Sequence, residues 1–393
     1  GIGLRELISS QEFIQSQANL PVCLGKDVIG NPILADLARM PHLMVAGATG
    51  TGKTIFLNSL LTTLLFKNPP ELLRLILVDP KRVEMRDYND LPHLLCPVIF
   101  DVHKTVAALK WAITEMERRF DLIGSKGSRN IGSYNEKALK DGFEPMPFIV
   151  FVIDELADLM ASKGKEVEAG IIRLAQMARA VGIHLVVATQ RPSVEVITGL
   201  IKANITCRVA FQVASQIDSR TILDVSGAEK LLGAGDMLFT SSEYPRPKRV
   251  QGPYISEKEM KRVLEWIKEK NVMPEFRIEE GVLESMAIGN GNGNSDYVGT
   301  PGMFGANDGS EDMGDDPLYE QAKKIVLESR QASASFLQRR LRIGYARAAR
   351  IIDIMEDKGM VGPKDGARPR EILISALGEG NSDSGTDDGW QKV

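Results

Sequence analysis

Apolar and polar positions divide the chain into a long first part, where strand and helix patterns alternate, and a shorter helical last part. Helical patterns cover residues 54–66, 102–122 and 166–180. Bare apolar runs suit central strands of a parallel sheet that is covered on both faces. Five such runs occur: PHLMVAGA, LLRLILVDP, FIVFVIDE, IHLVVATQ and CRVAFQV. The alternation predicts an α/β fold with right-handed crossovers.

The segments on either side of this α/β domain, predicted at 41–280, have different patterns. Residues 1–40 predict a helix over 4–16 and then a strand pair, as an N-terminal extension. Residues 281–316 are rich in Gly, Asn and Asp, with seven acidic residues and no Lys or Arg. Such a composition buries too little apolar surface to fold, so it predicts a flexible acidic linker.

Helical periodicity returns at 317–375, ahead of a tail at 376–393 that is predicted to be disordered. Two helices, a tight turn at Ile343-Gly344, a helix over 345–358 and a Gly/Pro-rich hairpin are typical of a winged helix-turn-helix. This segment has five more basic than acidic residues, although the whole chain has a net charge of -4. A basic module behind an acidic linker indicates nucleic-acid binding.

Arginines of this module are the candidates for DNA contact. Arg347 and Arg350 share one face of the predicted recognition helix, and arginine suits the guanine edge. Arg368 and Arg370 fall on the predicted wing, where contact with phosphates or with a groove is expected. The alternative is a solvated basic face on a protein-binding winged helix. The full candidate set is Arg339, Arg340, Arg347, Arg350, Arg368 and Arg370.

Composition narrows the class of protein further. The chain has 393 residues and three cysteines without a CxxC spacing. A disulfide framework or zinc site is therefore not expected, and a reducing cytoplasm fits better. No apolar run reaches the roughly 18 residues of a membrane span. The first residue is Gly, which indicates a fragment of a longer protein and leaves a membrane anchor ahead of it open.

A glycine-rich loop, GATGTGKT at 47–54, follows the first apolar run and matches GxxxxGK[ST]. In such a loop, backbone N–H groups converge on phosphate oxygens, a lysine reaches the β- and γ-phosphates, and a hydroxyl ligates Mg²⁺. ATP and Mg²⁺ are the predicted cofactors, with Lys53 and Thr54 in the lysine and hydroxyl roles. The candidate nucleotide-binding residues are Gly47, Ala48, Thr49, Gly50, Thr51, Gly52, Lys53, Thr54 and Ile55.

Polar residues end three further apolar runs. Asp154 is expected to hold Mg²⁺ and Glu155 to orient and polarise the attacking water, which favours hydrolysis over a binding switch; the alternative is a helix N-cap. Gln190 is expected beside Asp154 as a sensor of the γ-phosphate, unless it only forms a turn. Lys81 and Arg82 can face DNA or a neighbouring subunit, or simply solvent.

A ring ATPase usually takes a positive charge from a neighbouring subunit to its γ-phosphate. Arg208 and Arg220 are the candidates for this catalytic role, and the sequence does not choose between them. A structural salt bridge is the alternative for either residue.

Taken together, the motifs resemble the FtsK/SpoIIIE family of bacterial DNA translocases. The resemblance covers nearly the whole chain apart from the linker and the tail. It rests on GATGTGKT, LVDPKRVEM, EMERRFDLI, FIVFVIDELADLM, HLVVATQRPSVEVITGLIKANITCRVAFQVASQIDSRTILD, GAEKLLGAGDML and LQRRLRIGYARAARIIDIMEDKGMVGP.

This resemblance implies a RecA-like P-loop motor that forms a homohexameric ring around double-stranded DNA. It also implies a role in chromosome segregation and chromosome dimer resolution at cell division. The winged helix, the family's gamma domain, would read short polar guide sequences and activate a site-specific recombinase. A membrane domain at the septum would precede this cytoplasmic part. Family members often have Ser where Thr51 and Thr54 stand, and Thr keeps the hydroxyl needed for Mg²⁺. An amide or hydroxyl residue is common where Ala346 stands, so the resemblance implies DNA binding here with different details of base recognition.

Three other functions compete with a translocase. One is a strand-separating helicase with a related core. Another is an ATP-dependent transcription regulator in which the P-loop domain is a switch, although Glu155 favours turnover. The third is a small-molecule kinase, which would have no need of a basic module.

Overall fold

The computed structural model divides into two units, Gly1–Phe304 and Gly305–Val393, and each is described by itself. This division falls inside the predicted linker. The structure describes residues 1–274, 276–278, 281–288, 319–329, 332–333, 336–337, 340, 351–352, 355–356 and 360–362.

The first unit is built on a mixed sheet of nine strands in the order β3-β2-β10-β9-β8-β4-β7-β6-β5, with β1 and β11 forming a separate parallel pair. The strands are β1 (Ile2–Gly3), β2 (Pro21–Asp27), β3 (Pro32–Asp36), β4 (Leu43–Ala46), β5 (Leu73–Val78), β6 (Phe148–Ile153), β7 (Ile183–Thr189), β8 (Cys207–Phe211), β9 (Asp236–Thr240), β10 (Lys248–Gln251) and β11 (Pro253–Tyr254).

The five predicted apolar runs are the five parallel strands β8-β4-β7-β6-β5, which confirms the α/β prediction. Four antiparallel strands extend this sheet on one side. The predicted N-terminal strand pair, β2 and β3, belongs to this extension. The apolar pattern does not reveal β10, because its sequence is KRVQ and only Val250 in it is buried.

Helices of the described residues cover both faces of the sheet, and alternate residues of each central strand face opposite layers. On β5, for example, Leu75 packs on the layer with α3 and α9, and Ile76 packs on the layer with α4 and α6. The helices are α1 (Leu4–Ile8), α2 (Gln11–Ile14), α3 (Lys53–Lys67), α4 (Val102–Ser125), α5 (Ile131–Asp141), α6 (Leu156–Met177), α7 (Gly199–Asn204), α8 (Gln216–Leu223), α9 (Glu257–Lys270), α10 (Val282–Ile288) and α11 (Tyr319–Ser329).

Two predicted helices differ from those observed. The single helix expected over 4–16 is broken into α1 and α2, because the Ser10 side chain accepts a hydrogen bond from Phe13 N–H and starts a new helix. Helix α6 starts ten residues earlier than predicted, directly after Glu155, and is kinked at Lys163. Among the residues that the structure describes, no helix combines the length and apolar composition needed to cross a membrane.

The start of the predicted linker also differs. Residues 282–288 form α10, and Leu283 is buried in the layer that contains α4. Glu284 lies 2.7 Å from Lys104 of that helix. The Gly-rich composition that follows dominated the pattern, so the short helix with its apolar side was missed. The linker prediction is therefore wrong for residues 282–288. Residues 289–316 lie outside the described part of the chain.

In the second unit, α11 packs with fragments of the predicted winged helix. Its Tyr319, Ala322 and Val326 share a core with Leu337, Ile351, Ile352 and Met355. The predicted turn at 343–344 and the wing lie outside the residues that the structure describes. The described residues 351, 352, 355 and 356 are helical, within the predicted recognition helix.

Arg119 on α4 is a buried structural arginine within the EMERRFDLI motif. It donates to Glu115 Oε1 at 2.8 Å and to the carbonyl oxygens of Pro147 and Val181 at 2.8 and 3.0 Å. These bonds tie α4 to the segments entering β6 and β7.

Arg119→Ala is expected to lower the free energy of unfolding by about 3 kcal/mol, because it leaves buried acceptors without a donor. Arg118→Ala is the matched control, since Arg118 binds the same Glu115 carboxylate from a partly exposed position. Its loss should cost about 1 kcal/mol or less. Urea unfolding followed by tryptophan fluorescence measures both, and equal losses would contradict the assignment.

Candidate nucleotide-hydrolysis site

The glycine loop connects β4 to α3 at the carboxyl edge of the parallel sheet. Gly52 has a φ of 125°, and a Cβ there would lie 2.8 Å from the Cα of Gly235. A Cβ on Gly47 would lie 2.5 Å from the Cβ of Phe211. Only glycine therefore fits at these two positions. Thr49 and Gly50 are exposed at the loop tip, and Ile55 is half-buried in the first turn of α3.

The start of α3 is suited to anions. The first N–H groups of a helix have no intrahelical acceptor, and the helix dipole favours negative charge there. The loop itself is anchored by neighbouring strands: Ala48 N–H donates to Gln212 O at 2.9 Å, and Gly235 N–H donates to Thr51 O at 2.9 Å. The glycine loop is thus held by the residue after β8 and the residue before β9.

Lys53 forms a buried ion pair with Asp154, which follows β6. Its Nζ lies 2.6 Å from Asp154 Oδ1 and 2.7 Å from the Asp154 carbonyl oxygen. Burial raises the pKa of Asp154, and the Lys53 ammonium offsets part of that effect. The Oδ2 atom of Asp154 is buried and has no hydrogen-bond partner among the described residues. The two residues predicted to contact phosphate and metal are therefore adjacent.

Thr54 contacts an acid that the sequence reasoning missed. Its hydroxyl donates to Glu84 Oε1 at 3.1 Å. Glu84 lies on the loop after β5, and Asp79 holds this loop by accepting from the N–H groups of Glu84 and Met85 at 2.9 and 3.0 Å. Burial and the Asp154 carboxylate raise the pKa of Glu84. In the sequence, Asp79 at the end of an apolar run was the feature that could have indicated Glu84. A carboxylate at that position can accept from N–H groups of the following loop and hold the loop near the site.

Glu155 is fully buried beside Asp154 and is bonded on both oxygens. Oε1 accepts from Thr189 Oγ1 at 2.6 Å, and Oε2 lies 3.0 Å from Lys81 Nζ. The Gln190 N–H is 3.2 Å from each oxygen. Burial alone would raise the pKa of Glu155, but hydrogen bonds from Thr189 and Lys81 and the Lys81 charge hold it below its ordinary value. Glu155 also caps α6 through Ala157 N–H.

Gln190 follows β7, which lies between the strand that leads to the glycine loop and the strand that leads to Asp154. Its Oε1 accepts from Thr49 Oγ1 at 2.8 Å, and its N–H binds Glu155. It therefore joins the loop tip to the acidic pair. The neighbouring strands β6 and β7 bring Gln190 to Glu155, the acid next to Asp154.

The two arginine candidates have different surroundings. Arg208 on β8 donates to three backbone carbonyls and to Asp224 at 2.6 Å, so its own chain holds the guanidinium. Arg220 is exposed on α8, and no ion pair with another described residue is present. Lys81 is paired with Glu155, and Arg82 is exposed next to it.

Of the six arginines predicted to contact DNA, the structure describes only Arg340, which is helical and exposed. Arg339, Arg347, Arg350, Arg368 and Arg370 lie outside the described residues.

The side chains at the loop fit a nucleotide with Mg²⁺. Mg²⁺ prefers oxygen ligands and is usually held by one or two carboxylates together with substrate phosphates. Thr54 and the unpartnered Oδ2 of Asp154 supply such oxygens. Within the described ranges, no cluster of three or more His, Cys, Asp or Glu side chains can hold a metal ion.

Comparison with known families and relatives agrees with this architecture. The FtsK/SpoIIIE family matches residues 3–194, and the Ftsk gamma domain matches residues 313–375. The DNA translocase FtsK of Clostridium tetani is 51% identical over 373 residues, which cover 95% of this chain and 48% of that protein. The DNA translocase SftA of Bacillus subtilis is 46% identical over 376 residues, or 95% of this chain and 37% of that protein. The chain thus spans about half the length, or less, of these relatives.

Solved structures share the fold. The pCW3 conjugation coupling protein TcpA, in its monomer form with ATPγS, matches with a TM-score of 0.57 and 30% identity, over 65% of this chain and 73% of that one. The cytoplasmic domain of the Thermomonospora curvata type VII secretion ATPase EccC has a TM-score of 0.59 at 24% identity, over 70% of this chain and 33% of that one, and supports the fold alone. The chain therefore belongs to the FtsK/SpoIIIE family, with a P-loop ATPase fold followed by an Ftsk gamma domain.

Proposed function

We propose that this chain is the ATP-hydrolysing motor part of a double-stranded DNA translocase that acts in chromosome segregation at cell division. The observation that carries the proposal is the convergence of Lys53, Thr54, Asp154 and Glu155 at one edge of the sheet, in a chain that also has a gamma domain. The relatives named as DNA translocases support DNA as the partner.

The residues have separate roles in hydrolysis. Lys53 exchanges its contact with Asp154 for the β- and γ-phosphates of ATP, while Thr54 and Asp154 hold Mg²⁺. Mg²⁺ held by these residues would neutralise the negative charge that develops on the phosphate oxygens. Glu155 orients and polarises the attacking water, and Gln190 connects this acid to the loop through Thr49. A preorganised site of this kind stabilises the transition state mainly by electrostatics.

Assembly and direction belong to the same proposal. Six copies form a ring around the duplex, and a neighbour supplies an arginine to each γ-phosphate. Arg220 suits this role better than Arg208, whose donors bind its own chain. The gamma domain reads guide sequences and sets the direction of movement. The resemblance to the family supports action with a site-specific recombinase. It also supports a location at the division septum, where the whole protein is anchored in the membrane.

The rate of ATP hydrolysis by the chain is expected to rise with duplex length, because phosphate contacts let a ring bind any sequence. Steady-state ATPase assays with short and long duplexes, with particle size measured by light scattering, test this. A form ending at Ile288 retains α10 and should keep stimulation by long duplex while losing any preference for a guide sequence. An ATPase rate indifferent to duplex, without rings, would refute the proposal.

A further inference from the structure

The Glu155 carboxylate has donors at all of its acceptor positions. A carboxylate offers about four such positions. Thr189 Oγ1, the Gln190 N–H and the Ala157 N–H, the last at 3.4 Å, reach Oε1. The Gln190 N–H and Lys81 Nζ reach Oε2. Glu155 can accept a hydrogen bond from the attacking water, and so activate it, only if one of these donors leaves.

Of these donors, Lys81 is the one that no strand or helix holds in place. The Thr189 hydroxyl and the Gln190 N–H lie at the end of β7, and the Ala157 N–H lies in the first turn of α6, so the sheet and helix hold them in place. Lys81 instead extends from the loop after β5, and its side chain is 32% exposed. A lysine ammonium is a mobile point charge on a flexible stem.

The surface around Lys81 is suited to a polyanion. Arg82 is exposed next to it. Arg191 follows Gln190 and is 65% exposed, with Asp158 3.6 Å away. Two exposed arginines are thus next in sequence to residues that bind Glu155: Arg82 follows Lys81, and Arg191 follows Gln190. Phosphate is a standard partner of lysine, and backbone phosphates are present on DNA of any sequence.

We propose that Lys81 restrains Glu155 and that a backbone phosphate of duplex DNA releases it. The phosphate takes the Lys81 ammonium, and Glu155 Oε2 becomes available to the attacking water. This inference rests on the function proposed above and identifies the residue through which DNA raises the hydrolysis rate. Lys81 is a positioning residue, because it acts through Glu155.

Steady-state ATPase rates of the full chain, with and without long duplex, test the restraint. Lys81→Met keeps the stem and removes the charge; its rate without DNA is expected to rise about fivefold or more, within the usual range of coupling between sites. Lys81→Arg should retain both the ion pair and the stimulation by DNA. Val83→Ala changes an exposed residue of the same loop, and its rates should match the wild type.

The outcomes separate the two proposals. If Lys81→Met lowers the rate both with and without DNA, Lys81 orients Glu155 instead of restraining it, and the inference fails. If its rate without DNA equals that of the wild type, the phosphates of ATP or another group release Lys81, and the inference fails as well. A wild-type protein that duplex does not stimulate would refute the proposed function itself.

Duplex binding without ATP gives a readout independent of hydrolysis. If DNA and Glu155 compete for Lys81, Glu155→Gln should tighten duplex binding, because an amide cannot form the ion pair. The double variant Lys81→Met/Glu155→Gln should lose that gain. Fluorescence anisotropy at several salt concentrations measures both, and Lys81→Met should reduce the salt slope by about 0.9 for one lost phosphate contact. An unchanged affinity in Glu155→Gln would overturn the competition.

Discussion

Lys53→Ala is expected to abolish ATP hydrolysis and to stop movement along duplex DNA. The substitution removes the ammonium expected at the β- and γ-phosphates. It also leaves Asp154 as a buried carboxylate without its partner, since Lys53 and Asp154 are 2% and 1% exposed. Breaking a buried pair from one side usually costs about 3 to 5 kcal/mol. The variant should therefore lose both activity and folding stability.

A double variant separates these two losses. Lys53→Ala/Asp154→Asn replaces the unpaired carboxylate with a neutral amide, so it should recover part of the stability and none of the activity. Urea unfolding and ATPase assays on the same preparations make the comparison. A Lys53→Ala protein that still translocated DNA would remove the basis of the proposed mechanism, whatever its stability.

Glu155→Gln is expected to keep ATP binding and to slow hydrolysis by a factor of about 10² to 10⁴, the usual contribution of a positioned acid or base. The amide keeps the shape of the side chain, and its oxygen can still accept from Thr189 or the Gln190 N–H. The fold around the site should therefore persist. Binding of a fluorescent ATP analogue and single-turnover hydrolysis measure the two properties separately.

Asp158→Asn is the matched control for this variant. Asp158 lies in the first turn of α6, the helix that Glu155 caps, and it pairs with Arg191 at 3.6 Å. The substitution removes a carboxylate that lies near the site but does not contact Glu155, so the rate of ATP hydrolysis should change little. If Glu155→Gln hydrolysed ATP at the wild-type rate, another group would have to activate the water.

The site pairs each of its two lysines with one of two adjacent acids. Lys53 binds Asp154, and Lys81 binds Glu155. In the two proposals taken together, Lys53 exchanges its carboxylate for a phosphate of ATP, and Lys81 exchanges its carboxylate for a phosphate of DNA. The two exchanges occur at neighbouring residues, which gives a short physical route from DNA contact to hydrolysis.

Much of the fold follows from local patterns in the sequence. Runs such as Leu73–Val78 are buried along their whole length, and only a strand covered on both faces leaves an apolar run so uninterrupted. The glycine loop could also be predicted from the sequence. Gly47 and Gly52 have no room for a Cβ, so the loop requires glycine at these positions and the motif shows it. The DNA contacts of all six arginines of the second unit stay predictions, and Arg340 is the one of them that the structure describes.

By itself, the sequence determined the five parallel strands, the glycine loop, and the acids and Gln190 at the strand ends, since each is a short-range pattern of burial or spacing. Only the tertiary structure decided the polar partners: Lys53 with Asp154 at 101 residues' separation, Lys81 with Glu155 at 74, and Thr54 with Glu84 at 30. It likewise decided that Arg119 is structural. The physical reason is that pairing depends on the distance between strand ends and loops across the sheet, which the order of strands sets and no local pattern encodes.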